Sequence, residues 1–177
     1  FPEFGGSCAW EERRLGEISD IKTGPFGSVL HESDYVDVGT PIITVEHLGE
    51  LKVEGGNAPR ISDLDKIRLS AYVLNEGDIV FSRVGSVDRC AIIGSNEEGW
   101  LFSGRLLRLR VTAKNSSPGF LNQLLKYKPN KVKIRDSAVG QTMPSLNTEI
   151  LKKISFLMPS SFLEQQNWPH LLHNFLG

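Results

Sequence analysis

One stretch of the chain, residues 135–166, constrains the fold more than any other, because it carries four local signals in order. A polar loop centred on Gly140 comes first, and a short helix is predicted at 148–152. An apolar strand at 154–158 then runs into Pro159. Ser161 and Glu164 have the spacing of a capping box, which predicts the start of a final helix. Loop, helix, strand and helix in this order indicate a domain built from short elements of both kinds.

The rest of the chain repeats this pattern of short elements. Apolar runs and alternation predict strands at 18–22, 41–45, 79–81, 91–93 and 101–111, with a hairpin at 49–56 that turns Leu51 and Val53 inward. Capping residues predict helices at 62–69 and 118–127. A second, basic helix is expected at 131–137, and a short turn or helix at 10–18. The elements do not alternate as regular strand–helix units. We therefore predict an α+β domain with a curved mixed β-sheet and several short helices, not a doubly wound nucleotide-binding sheet.

The strand predicted at 101–111 has the clearest alternation in the chain. Leu107, Leu109 and Val111 are expected to face the core, and Arg108 and Arg110 to point outward together.

Composition sets limits on function. The 177 residues carry a formal net charge of −1, so no overall basic field concentrates nucleic acid, and DNA binding would depend on local clusters of cations. Cys8 and Cys90 are far apart and fit neither a disulfide framework nor a zinc site, so a reducing cytoplasm is the simplest location. Nothing approaches the roughly 20 consecutive apolar residues that span a bilayer. Residues 1–8 are predicted to be a vector-derived linker.

The sequence contains no complete catalytic motif. The glycine pair Gly24 and Gly27 lacks the lysine and hydroxyl residue of a phosphate-binding loop, and no methyltransferase cofactor loop or base pocket is present. Asp63, Asp65 and Lys66 are the nearest approach to a nuclease cluster, although they suit the solvated start of a helix equally well. The sequence thus predicts no enzyme, cofactor or metal site, and a small metal-dependent nuclease remains an alternative.

Cations gather in three places that suit DNA binding. They are Arg83 with Arg89 around the turn at Gly85; Arg105, Arg108 and Arg110 near one strand; and Lys126, Lys128, Lys131, Lys133 and Arg135 before the 140–142 loop. Phosphate contacts need flexible cations, whereas base edges need residues such as Arg, Asn and Gln. A solvated basic helix face is the simpler explanation of such a run, and a protein-interaction domain that has lost DNA contact is a further alternative.

Seven segments in order resemble a known family across residues 10–166. They are Trp10 before Leu15–Ile18, Thr23-Gly24, Gly39–Ile43, Gly77–Arg83, Gly85–Arg89, Leu107–Arg110, and a closing segment from Gly140-Gln141-Thr142 through Leu146, Leu151, Ile154 and Pro159 to Glu164-Gln165-Gln166. Together they resemble the target recognition domain of type I restriction–modification specificity subunits, which binds DNA without catalysing a reaction.

The resemblance carries expectations about the site and its partners. It implies binding to a short half-site of double-stranded DNA, together with modification (methyltransferase) subunits and a restriction subunit, in the cytoplasm and away from membranes. The contact residues are chosen from the sequence itself, because loops that face a groove must offer donors at their tips and these positions follow or precede glycine turns. The residues expected to contact phosphates are Arg83, Arg105, Lys131, Lys133 and Arg135, and those nearer base edges are Thr23, Ser86, Arg89, Gln141 and Thr142.

It also carries expectations about organisation. The recognition domain is expected at 9–160 and the start of a shortened spacer helix at 161–177. A kink or a stop is expected near Asn167-Trp168-Pro169, because proline removes a helical hydrogen bond. An apolar stripe of Leu171, Leu172, Phe175 and Leu176 would fold back onto the domain or pair weakly, which predicts a monomer or weak homodimer.

Overall fold

A computed structural model describes residues 9–25, 29–50 and 52–172, with side chains as far as residue 167. Its strands are β1 (Trp10–Arg14), β2 (Ser19–Thr23), β3 (Tyr35–Val36), β4 (Thr40–Ile43), β5 (Arg60–Ile61), β6 (Ile79–Ser82), β7 (Cys90–Ile92), β8 (Leu101–Phe102), β9 (Leu106–Val111) and β10 (Ser155–Pro159). Its α-helices are α1 (Leu15–Ile18), α2 (Asp63–Arg68), α3 (Pro118–Lys126), α4 (Lys128–Ser137), α5 (Thr148–Lys153) and α6 (Phe162–Leu172). The predicted α+β class is confirmed.

The central sheet has the order β2-β9-β6-β7 and is antiparallel throughout. Leu107 near the start of β9 lies opposite Thr23 at the end of β2, and also opposite Phe81 near the end of β6. Because neighbouring strands run in opposite directions, β2 and β6 end where β7 and β9 begin. The loops that follow or precede these strand ends therefore lie at one end of the sheet, which we call the loop end.

Two smaller sheets complete the strand arrangement. One has the order β3-β5-β4-β8 and contains the parallel pair β4–β8, while β1 and β10 form an antiparallel pair. Among the described residues, the strands thus divide among three sheets, one of which mixes parallel and antiparallel pairs. The predicted strand at 101–111 is divided as well, because residues 101–102 pair with β4 and residues 106–111 pair with β2 and β6.

The main core lies between the central sheet and the helices. Phe81, Leu107 and Leu109 of the sheet cluster with Phe120 and Leu121 of α3, and all of these side chains are buried. Each such side chain stabilises the fold by about 1.5–3 kcal/mol when it leaves water. This core fixes the sheet that carries the loop end.

The predicted helix starts at Ser62 and Ser117 are confirmed, whereas the helix predicted from residue 131 begins earlier, at Lys128. The Ser62 hydroxyl accepts a hydrogen bond from the Asp65 N–H at 3.1 Å, and the Ser117 hydroxyl accepts one from the Phe120 N–H at 3.3 Å. A cap at Asn147 was not predicted, and its side chain accepts from the Ile150 N–H at 2.8 Å. Such caps satisfy donors that an isolated helix leaves unpaired.

Three local predictions need correction. Residues 10–14 form a strand, because they pair with β10, and only 15–18 are helical. Arg108 and Arg110 are not free in solvent: the side chain of Arg108 is 6% exposed beside Asp20, and the partly exposed Arg110 pairs with Asp78. Helix α6 does not stop at residues 167–169 but continues to Leu172, since proline loses one hydrogen bond yet has a helical φ.

Several predictions concern residues that the structure does not describe. The linker at 1–8, Leu51 of the predicted hairpin and the apolar stripe at residues 171, 172, 175 and 176 lie beyond the residues whose side chains are described. Within the described ranges, no helix is long and apolar enough to cross a bilayer.

Candidate nucleic-acid interface

Three loops meet at the loop end of the central sheet: residues 83–89, 103–105 and 139–145, which together we call the three-loop surface. The Arg83 N–H donates to the Arg105 carbonyl at 2.9 Å, which joins the first two loops. The Gly85 N–H donates to the Pro144 carbonyl at 2.9 Å, and the Leu146 N–H to the Arg83 carbonyl at 2.8 Å. These backbone bonds join residues far apart in sequence into one surface.

Glycine conformation makes two of these loops possible. Gly85 has φ 76° and Gly140 has φ 101°, a region that other residues rarely adopt. At Gly140 a Cβ would lie 2.7 Å from the Met143 carbonyl oxygen, so a side chain does not fit there. The loop after Gly140 is closed by Val139 and Ser145, which exchange two backbone hydrogen bonds of 3.0 and 2.8 Å. Residues 139–145 thus form a tight hairpin.

Most of the residues predicted to bind DNA lie on this surface or beside it. Ser86, Arg105, Gln141 and Thr142 are exposed at the loop tips. Arg83 is half-buried, and its Nη1 donates to the Gly104 carbonyl at 3.3 Å. The fold therefore brings together residues from three separate parts of the sequence.

Thr23 adjoins the same surface. It ends β2 opposite Leu107, and the next residue, Gly24, donates its N–H to the Leu106 carbonyl at 3.1 Å. A Cβ on Gly24 would lie 2.1 Å from the Ser103 carbonyl oxygen, so the chain after β2 passes directly against the 103–105 loop. The glycine after Thr23 is needed for this close approach.

Arg89 is engaged within the protein. Its Nη2 donates to the Leu48 carbonyl oxygen, and the residue is half-buried. This contact ties the 83–89 loop to the chain that follows β4. Arg89 therefore supports the loop, whereas Ser86, three residues earlier, is exposed.

The cations of α4 divide between two faces of the helix. The Lys131 Nζ lies 3.5 Å from the Asp88 carboxylate, which places that lysine against the 83–89 loop. Arg135 is one turn further along on the same face and is exposed. Lys133 lies on another face, where its amine donates to the Ser155 carbonyl at 2.6 Å and sits 5.6 Å from the Phe156 ring centre. These cations form one group in the sequence, whereas the structure places them on two faces of the helix.

Two arginines of β9 are held inside the domain. Arg110 donates to both oxygens of Asp78 at 2.7 Å, and these bonds raise the pKa of the Arg110 guanidinium. Arg108 donates to Asp20 at 2.5 Å. Arg105, which precedes the strand, is the exposed member of this group. The cations available to a ligand are therefore fewer than the sequence suggests.

Asp88 and Met143 were missed by sequence reasoning. Asp88 stands between Ser86 and Arg89 in the basic turn and faces Lys131, and an acid within a basic segment is the signal that could have singled it out. Met143 is an exposed apolar residue in an otherwise polar loop, which is a similar local contrast.

The alternative nuclease residues have a structural role. The Asp65 carboxylate accepts from the Ser62 hydroxyl at 2.7 Å and from Arg68 Nη2 at 2.8 Å, and these bonds lower the pKa of Asp65. In the part of the chain that the structure describes, no group of three or more His, Cys, Asp or Glu is placed to hold a metal ion. This geometry gives no support to a metal-dependent nuclease.

Comparison with known families decides the membership of the chain. A model of the type I restriction modification DNA specificity domain matches residues 9–177. The chain belongs to this family. The predicted family is therefore confirmed.

A curated relative has the same family assignment. The chain is 27% identical over 163 residues to a putative type I restriction enzyme MjaX specificity subunit of Methanocaldococcus jannaschii, covering 89% of this chain and 37% of that protein. The chain thus spans well under half the length of this relative.

Solved structures share the fold. The type I restriction–modification S subunit from M. genitalium matches with a TM-score of 0.66 at 15% identity, over 98% of this chain and 40% of that one. The HsdS subunit from Thermoanaerobacter tengcongensis matches with a TM-score of 0.68 at 21% identity, over 98% and 39%. A further chain comes from a structure described as the structural basis of complex assembly and conformational transition of the type I R-M system. It matches with a TM-score of 0.70 at 21% identity, over 99% of this chain and 41% of that one. These likenesses confirm the predicted fold.

Proposed function

We propose that this specificity domain recognises a short sequence in double-stranded DNA through the three-loop surface and catalyses no reaction itself. The observation that carries the proposal is the convergence of Arg83, Ser86, Arg105, Gln141 and Thr142 at one end of the central sheet. Separate segments with cations and amide or hydroxyl side chains supply both the phosphate contacts and the base contacts that specific binding needs.

The geometry supports different roles within this set. Arg83, Arg105, Lys131 and Arg135 suit phosphates, because their charges lie on or beside the three-loop surface. The residues proposed for base edges are Thr23, Ser86, Gln141 and Thr142. Glutamine can bind adenine with two hydrogen bonds, and hydroxyl side chains can bind several bases.

Arg89 and Lys133 are the weakest members of the proposed DNA-binding set. Both side chains donate to carbonyl oxygens within the protein, Arg89 to Leu48 and Lys133 to Ser155. Contact with DNA would require these bonds to be exchanged or shared.

The organisation of the whole system is also part of the proposal. Residues 9–160 form the recognition domain, and α6 begins a spacer helix anchored on it. Modification subunits supply methyl transfer and a restriction subunit supplies cleavage, so the chain directs their chemistry to a site. Because such a system acts on DNA inside the cell, we place the chain in the cytoplasm.

Selection from a random duplex pool tests sequence recognition directly. The expected result is enrichment of one short motif by the 177-residue chain. The salt dependence of binding then tests the phosphate contacts: Arg105→Ala should weaken all duplexes alike and lower the slope of log K against log salt by about 1. Lys114→Ala is the matched control, because Lys114 is exposed beyond the other end of β9. Its slope should not change.

Two results would overturn the proposed function. One is a pool that shows no enriched sequence, together with equal salt slopes for wild type, Arg105→Ala and Lys114→Ala. The other is magnesium-dependent nicking of a plasmid that disappears in Asp65→Ala, which would favour the nuclease alternative.

A further inference from the structure

Met143 lies in the hairpin of the three-loop surface with 66% of its surface exposed. Its neighbours Gln141 and Thr142 are polar and exposed as well. Exposed apolar side chains are common when scattered singly over a protein surface. Met143 is different in position, because it stands among the residues proposed to contact base edges.

The backbone holds Met143 in a defined place. The hairpin is closed by the two hydrogen bonds between Val139 and Ser145, and it is fixed to the 83–89 loop by the bond from Gly85 to the Pro144 carbonyl. Gly140 packs with no room for a side chain against the Met143 carbonyl oxygen. The side chain of Met143 can adapt its shape, while these hydrogen bonds tie the backbone around it to the three-loop surface.

The width of the hairpin decides which DNA groove it fits. Paired strands lie roughly 4.8 Å apart, and their side chains add further width. The major groove is about 12 Å wide and admits a two-stranded ribbon, whereas the minor groove is about 6 Å wide. The hairpin closed by the bridge between Val139 and Ser145 is therefore too wide for the minor groove, and we expect it in the major groove. On the major-groove edge, the apolar group of a base pair is the C5-methyl of thymine.

We propose that Met143 is a specificity-determining residue that packs against the C5-methyl group of a thymine in the major groove. The inference rests on the proposed function and adds an apolar contact to the polar ones of Gln141 and Thr142. A thioether is polarizable and adapts its shape, so it can cover a methyl group without a preformed pocket. The contact favours thymine over cytosine, which presents an amino donor and no methyl group.

Replacement of thymine by deoxyuridine tests this contact, because it removes only the methyl group. After a motif has been selected from the random duplex pool, each thymine in it is replaced in turn and the affinity measured. At one position the wild type should lose about threefold to fivefold, the effect of exposing one buried methyl group. Met143→Ala should bind the thymine duplex more weakly by a similar factor and show no difference between thymine and deoxyuridine. Met143→Leu should keep the difference.

Leu157→Ala is the control for loss of an exposed apolar side chain, since Leu157 is 57% exposed on β10, which pairs with β1. It should keep both affinity and the response to deoxyuridine. The inference is overturned if the motif contains no thymine, or if wild type and Met143→Ala respond equally to deoxyuridine at every position. In those cases the enriched motif still supports the proposed function. A pool with no enriched motif overturns the proposed function and this inference with it.

Discussion

The three arginines at and in β9 show how the surroundings of a residue decide its role. Arg105 precedes the strand and is exposed, whereas Arg108 and Arg110 in the strand meet Asp20 and Asp78. Strand alternation correctly places the two latter side chains on one face. It does not reveal that carboxylates from other segments already occupy that face. Only Arg105 of the three is therefore available to bind phosphate.

The Asp78–Arg110 pair is expected to matter for stability. Asp78 is 1% exposed and accepts from the Asn75 N–H at 2.8 Å as well as from Arg110. Asp78→Asn removes the charge that Arg110 faces. We expect a loss of about 2–3 kcal/mol of unfolding free energy, less than for a fully buried pair because Arg110 is partly exposed. Urea unfolding measures this change, and Asp63→Asn on the exposed start of α2 should cost about 0.5 kcal/mol or less.

Cys90 provides a probe of core opening. It is buried, and desolvation raises the pKa of its thiol to about 12 from a reference of 9.0. The folded state therefore keeps the proton that the unfolded chain loses above about pH 9, so Cys90 makes stability fall as pH rises from there towards the folded pKa. In a Cys8→Ser variant at about pH 8, a thiol reagent should react slowly until urea unfolds the protein. Rapid reaction of the folded protein would show that Cys90 is accessible.

At the scale of elements, local signals in the sequence were reliable where the cause of an element is local. Ser62 and Ser117 mark helix starts because a cap needs only a hydroxyl and an N–H three residues away. Residues 10–14 were harder to predict, because they form a strand only through pairing with β10, which lies far along the chain. The split at 103–105 has the same origin, since β8 and β9 pair with different partners.

The candidate site was predictable in composition but not in arrangement. Glycine turns beside polar residues singled out Ser86, Gln141 and Thr142, and these lie together in the structure. A count of charges could not show that Lys131 and Lys133 lie on different faces of α4. Their faces follow from helical geometry, and their partners, Asp88 and the Ser155 carbonyl, come from other segments. Long-range contacts were therefore the missing information.

The contact between α4 and the 83–89 loop gives a prediction about DNA affinity. Asp88 neutralises Lys131 at 3.5 Å, beside residues proposed to bind DNA. Asp88→Asn should free this lysine, strengthen binding to all duplexes, and raise the magnitude of the salt slope by about 1. Asp136→Asn changes the net charge equally from an exposed position on α4 and should have a smaller effect. Equal effects of the two variants would show that only total charge matters.

At the scale of the whole molecule, Gln165 joins α6 to the domain. It is 1% exposed; its carbonyl accepts from the Ser117 N–H at 2.8 Å, and its amide donates to the Asn115 and Pro159 carbonyls at 3.0 and 2.8 Å. One side chain thus connects α6 with the start of α3 and the end of β10. Within the Glu-Gln-Gln motif used for the family resemblance, Gln165 therefore has a structural role in docking the helix.

Substitution of Gln165 should therefore weaken the docking of α6. Gln165→Glu places a carboxylate oxygen against two carbonyls and loses both donors, at a cost of about 2–4 kcal/mol. Burial disfavours the charged form, so the folded pKa of the new carboxyl is raised and the loss should be smaller at about pH 4 than at about pH 8. Gln166→Glu is the matched control, because Gln166 is exposed on the same helix. Equal unfolding curves for the two variants would contradict this role.

The oligomeric state and the DNA affinity of the chain are linked. The described residues present one three-loop surface, and we expect a monomer or weak dimer, because the described part of α6, Phe162–Leu172, offers little area beside a typical interface of about 1,600 Å². A single short half-site then gives weak binding, about micromolar at physiological salt. Light scattering at two protein concentrations measures the oligomeric state, and fluorescence anisotropy measures the DNA affinity.

Fusion of a dimeric coiled coil after α6 should raise the affinity for a duplex carrying two half-sites through avidity, but not for a duplex carrying one half-site. A dimer that persists at nanomolar protein would contradict this expectation and predict a two-part recognition site for the chain itself.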